Sequence, residues 1–121
     1  MDLTQPLKEL VVNVSGAIGA VLIDNEGEAI THFNIRGADE NERVRLISAY
    51  HRIWLSDCQS LTQKMKLGAM DHLIQRYETG TVIVKSLKGN HALVLIGEKN
   101  LFLGQGLLRL NQIAELISED L

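Results

Sequence analysis

Histidine, cysteine and paired carboxylates are the residues through which a short chain does acid–base, nucleophilic or metal chemistry. Here they are scattered. His32, His51, His72 and His91 fall in four separate segments, and none has a second His or Cys at metal-ligand spacing. Each reads as a core or surface histidine. Cys58 is the only cysteine, so no intrachain disulfide can form. It sits in a helical pattern among apolar residues, away from a helix N-terminus or a neighbouring base, and reads as a small packed hydrophobe. Asp24, Glu26 and Glu28 crowd one turn, too exposed for the perturbed acidities of a catalytic pair. Gly16 with Gly19, and Gly104 with Gly106, complete neither the dinucleotide-binding nor the phosphate-loop glycine pattern. The expectation is a chain with no catalytic residues, no cofactor and no metal: not an enzyme.

Charge narrows the partners. The 121 residues carry 12 basic and 15 acidic groups, a formal net charge of -3. Nucleic-acid binders draw much of their affinity from a basic face that neutralises phosphates. Arg43, Arg45, Arg52, Lys64 and Lys66 share one segment, but Glu40, Glu42 and Asp57 are interleaved with them. Aromatic residues are also too few for a base-stacking platform. These charges read as the solvated face of a helix, and no nucleic acid is expected.

No apolar run approaches the roughly 20 residues that span a bilayer, and Met1 to Pro6 lacks the pattern of a signal peptide. The Asn13-Val14-Ser15 sequon then reads as coincidence, and a cytoplasmic protein without membrane insertion is expected. Apolar residues at 45% and charged residues at 22% are ordinary for a folded domain, so one domain over 1–121 is expected.

The elements that must position these residues follow from periodicity. Leu3, Leu7, Leu10 and Val14 repeat at helical spacing, with Thr4 as N-cap and Pro6 in the first turn, until Ser15-Gly16 stops the helix. Ala17 to Asp24 is an apolar run short enough for a strand buried on both faces. The turn Asp24-Asn25-Glu26-Gly27 leads to a second strand from about Glu28 to Ile35. Asp39, with Glu42 three residues on, has capping-box spacing and opens a long helix running to about Lys66. Ala69 to Glu78 alternates weakly and carries charge, as an edge strand does. Thr81 to Leu87 and His91 to Gly97 follow as strands, and a last helix begins near Asn100 with Leu103, Leu107, Leu110, Ala114 and Ile117 on one face. The two apolar strands require cover on both sides of the sheet.

The long helix is the most informative element. Val44, Ile47, His51, Trp54, Cys58, Leu61 and Met65 alternate spacings of three and four, like a coiled-coil seam. Leu46, Tyr50 and Ile53 form a second stripe beside it. Together they span an arc of roughly 200°, where packing on one surface needs little more than about 100°. Such a helix has two partners: its own sheet and, by inference, a second subunit.

The stretch from Val14 to Glu28, VSGAIGAVLIDNEGE, resembles the opening signature of the Roadblock/dynein light chain family. That signature is a helix, a Gly-containing turn, apolar-x-Gly leading a strand, and Asp-x-x-Gly before the next strand. Asn100 to Arg109, NLFLGQGLLR, is similar to the Asn-x-Gly-x-x-Arg entry to the family's last helix. The element order agrees, and the resemblance runs from about Leu3 to Ile117.

The resemblance implies an α/β (α+β) fold with one five-stranded, mostly antiparallel sheet in the order 2-1-5-4-3. The long helix covers one face and the terminal helices the other. It also implies a homodimer, or a heterodimer with a paralogue, formed by the third strands and the long helices. That interface would take Val44, Ile47, His51, Trp54, Cys58 and Leu61 from the helix, with His72, Ile74 and Arg76 from the strand. Members of the family act as adaptors in multiprotein complexes or as MglB-type regulators of small Ras-like GTPases. A non-catalytic regulator or scaffold is therefore the leading expectation. The runner-up is a small-molecule-sensing domain with a ligand pocket between sheet and helix.

Overall fold

The two apolar runs of the sequence become the middle of a sheet. In the computed structural model, which describes residues 2–121, β1 (Ala17–Ile23) and β5 (Ala92–Gly97) pair antiparallel and are buried at every position. β2 (Ala29–Asn34) flanks β1, while β4 (Thr81–Ser86) and then β3 (His72–Arg76) extend the other side. The order is β2-β1-β5-β4-β3, and each neighbouring pair is antiparallel.

Because successive side chains point to opposite faces, each central strand feeds two apolar layers. Ala20, Leu22, Ile83, Leu93 and Leu95 face α1 (Thr4–Val12) and α3 (Leu103–Ser118), where they meet Leu7, Leu10, Leu110 and Ile117. Val21, Ile23, Val82, Val84, Val94 and Ile96 face α2 (Asn41–Lys64) and meet Val44 and Leu55. The long helix thus lies on one face and the terminal helices on the other, as the resemblance implied.

Close packing fixes the join between layers. Gly16 has φ +86, and a Cβ there would lie 2.9 Å from the Leu101 Cα. Its carbonyl accepts the Glu98 N–H at 2.8 Å, tying the start of β1 to the turn after β5. Gly106 admits Leu101, Ile83 and Leu95 to the surface of α3, whereas Gly104 meets nothing closer than Phe102. Close packing is the role of Gly106, not of Gly104.

Helix ends depart from the sequence expectations. Leu3, not Thr4, is the N-cap of α1. The Asp2 carboxylate accepts the Thr4 N–H, and the Thr4 hydroxyl meets that of Thr31 on β2 at 2.6 Å. No Asp39 capping box forms: Asp39 lies in a single 3-10 turn (Ala38–Glu40), where Glu40 N–H reaches the Gly37 carbonyl. Glu40 is the N-cap of α2, with no side-chain cap, because local backbone bonds occupy the entry. At the other end Lys66 takes φ 59, with Lys66 N–H bonded to Gln63 O and Leu67 N–H to Thr62 O. This is a Schellman closure in which lysine holds the position glycine ordinarily takes.

Candidate functional site

α2 presents two faces, and the seam read from the sequence divides between them. Val44 and His51 are buried against the sheet, and Ile47 and Cys58 are half-buried. Trp54 and Leu61 remain exposed, at 40% and 56%. Beside them Leu46, Tyr50 and Ile53 are 55%, 52% and 50% exposed. An amphipathic helix hides its apolar side, so an apolar row left in solvent along α2 is unusual. The row comes mostly from the second stripe; the seam itself is largely occupied by the sheet.

β3 lies at the edge of the sheet. Its side chains alternate between layers: Ile74 packs on the α1/α3 side, while Leu73 packs on the α2 side. His72, Ile74 and Arg76 therefore share the face opposite to α2. Their side chains do not join the α2 stripe. Their backbone does face outward, however. Ser86 N–H bonds Asp71 O and Tyr77 N–H bonds Gly80 O, both at 2.7 Å, so the odd-numbered residues pair with β4. By alternation, the N–H and C=O groups of His72, Ile74 and Arg76 point to the open edge. The Arg76 guanidinium meanwhile donates to the carbonyls of Lys99 and Leu101, bracing the turn before α3.

The sequence reading missed Tyr77 and Gln75, which stand on the α2 side of this hairpin. His51 Nδ1 is 2.7 Å from the Ile47 carbonyl, and its Nε2 is 2.8 Å from the Tyr77 hydroxyl. Gln75 Oε1 is 2.7 Å beyond that hydroxyl. A carbonyl only accepts, so Nδ1 carries a hydrogen, and the Tyr77 hydroxyl gives its single hydrogen to Gln75 Oε1. The His51 ring also lies edge-on to Trp54 at 4.7 Å and to Tyr77 at 5.7 Å. Burial, partly opposed by the Ile47 bond, lowers the His51 pKa; burial raises that of Tyr77. The clue was the alternation Leu73, Gln75, Tyr77, one residue out of phase with the set chosen from sequence.

Between α2 and the sheet this cluster walls a groove of about 550 Å³. Ile18, Val82 and Ile96 form its floor, with Tyr50, Trp54 and Tyr77 along one side and Arg36, Glu40 and Arg43 among its polar lining. The wide apolar arc of α2 is thus not filled by the sheet alone.

Elsewhere the polar groups have structural roles. Asp24 Oδ1 accepts the N–H groups of Glu26 and Glu28, both at 2.9 Å. The Glu28 bond is the main cause of the lowered Asp24 pKa. Asp71 is likewise held low, first by Lys85 at 3.2 Å and then by His72 at 2.8 Å. Arg52 donates to the carbonyls of Asn25 and Asn90. Among the described residues no three His, Cys, Asp or Glu side chains group to hold a metal, and no helix is long and apolar enough to cross a membrane.

No family model and no curated protein matches the sequence. Solved structures do match the fold. A Roadblock/LC7 domain from Streptomyces avermitilis superposes at TM-score 0.81 with 13% identity, over 97% of this chain and 95% of that one. MglB of Myxococcus xanthus gives 0.80 and 13%, over 98% and 94%. A structure of MglB in a tetrameric arrangement gives 0.77 and 19%, over 95% and 84%. With its sheet order, its layering and these superpositions, the chain has the Roadblock/LC7 fold.

Proposed function

We propose that this chain is a non-catalytic interaction module that works as a dimer and regulates or scaffolds a small Ras-like GTPase or a multiprotein complex. The observations that carry the reading are the exposed apolar row Leu46, Tyr50, Ile53, Trp54 and Leu61 on α2 and the open edge of β3. The row extends along α2 for about 22 Å at about 1.5 Å per residue. An open strand edge and an uncovered apolar helix face each invite a second copy, since pairing satisfies the edge and burial removes the row from water. The assembly would join outward backbone of His72, Ile74 and Arg76 to side chains of the second stripe. Val44 and His51 support it from beneath.

The likeness to MglB favours a small Ras-like GTPase as partner. The test is a pull-down from lysate of the native host with GDP and, in parallel, a non-hydrolysable GTP analogue. Recovery of a small GTPase preferentially with the analogue supports the regulator or effector reading. Recovery of the same proteins regardless of nucleotide, with no GTPase among them, contradicts it.

A further inference from the structure

The groove between α2 and the sheet is built like a small-molecule site. Its volume of about 550 Å³ lies within the roughly 300–1,000 Å³ usual for such sites. Its floor is aliphatic and one wall aromatic, a lining that favours a flat apolar body over water. His51 and Tyr77 bond each other, so they offer this body their rings more than unmet polar groups. The charged lining is biased. Arg36 and Arg43 stand against one acid, Glu40, which lies 3.8 Å from Arg43. Among the described residues Arg36 is within ion-pair distance of no carboxylate.

We propose that this groove binds a small molecule with a flat apolar body and a single anionic group. The body lies over Val82 and Ile96 against Trp54 and Tyr77, and the anion meets Arg36 and Arg43. Aromatic walls select the shape, and the surplus cation selects the sign. Its lining comes from one chain, although Tyr50 and Trp54 belong also to the row assigned above to a second copy.

Two probes separate these terms: anilinonaphthalene sulfonate, and N-phenylnaphthylamine, which has a similar body without the charge. Each is titrated into the full chain by fluorescence, and contacts are mapped by amide chemical shifts. The expected result is saturable binding at one site per chain, with shifts at Gly80, Thr81 and Gly97. The anion binds about tenfold tighter, as one modest charge contact gives. In the double variant Arg36→Gln, Arg43→Gln that preference disappears while the neutral probe binds as before. Both arginines are exposed, so the fold is retained. Three results overturn the proposal: unsaturable binding, shifts confined to Leu46 and Ile53 on the outer row, or equal affinity for both probes. Groove shifts that grow with protein concentration and exclude the probes also overturn it, by assigning the groove to a second copy of the chain.

Discussion

His51 has a hydrogen-bond demand at each ring nitrogen, and its two protonation states meet that demand differently. A neutral ring that donates from Nδ1 to Ile47 needs the Tyr77 hydrogen at Nε2, which takes it from Gln75. A protonated ring donates from Nε2 and leaves the Tyr77 hydroxyl donating to Gln75. Burial resists the added charge and lowers the folded-state pKa below the ordinary 6.5. The unfolded chain then binds more protons than the folded one just below pH 6.5, so stability falls as pH drops through that window. Chemical denaturation between pH 7 and pH 5 should show the decline, and His51→Asn should flatten it. Asp24 and Asp71, whose pKa values are also lowered, lose their contribution only in the acid range below this window. Tyr77→Phe leaves Nε2 without a partner in a buried place. It should cost about 1–3 kcal/mol by the usual penalty for an unmet polar group, read as a lower denaturation midpoint. Trp54, 40% exposed in the single chain, is a different case. Trp54→Ala should cost the monomer less than the roughly 3–5 kcal/mol of a buried aromatic, with the larger loss in dimer affinity.

The ends of α2 and the edge of β3 carry predictions at the level of the element. Lys66 holds a left-handed conformation that costs a non-glycine residue about 1 kcal/mol or more. Lys66→Gly removes that strain and should raise the denaturation midpoint; a lower midpoint would contradict the Schellman assignment. At the sheet edge, His72 is exposed and its N–H points away from β4. His72→Pro should leave the monomer folded, since proline is tolerated where the N–H faces solvent, and should weaken pairing with a second copy. Circular dichroism and sedimentation separate the two effects. These elements also mark how far sequence reasoning reached. Helices, strands and their order were legible because apolar period and turn residues report local geometry directly. The α2 arc was legible as too wide for one partner. Which stripe met the sheet was not, because the stripes differ by a small rotation about the helix axis, and only packing against β1, β4 and β5 selects one. Which face of β3 meets α2 was not legible for a related reason. A one-residue change in alternation exchanges the faces, and the charged, half-buried strand leaves that alternation weak. The capping box failed because a 3-10 turn supplied backbone partners first.

For the whole molecule, the account rests on an apolar surface that one chain leaves uncovered. The α1/α3 layer packs around Leu7, Leu10, Leu110 and Ile117, and the α2 layer ends in the exposed row from Leu46 to Leu61. The most direct test is the mass in solution, by sedimentation equilibrium, of the wild type and of Ile53→Asp. Ile53 is half exposed, so the substitution disturbs the row and spares the core. The account predicts a wild-type species of two 13.4 kDa chains and a variant that is folded but monomeric. A wild type of 13.4 kDa across micromolar concentrations, or a variant dimer of unchanged affinity, would contradict it.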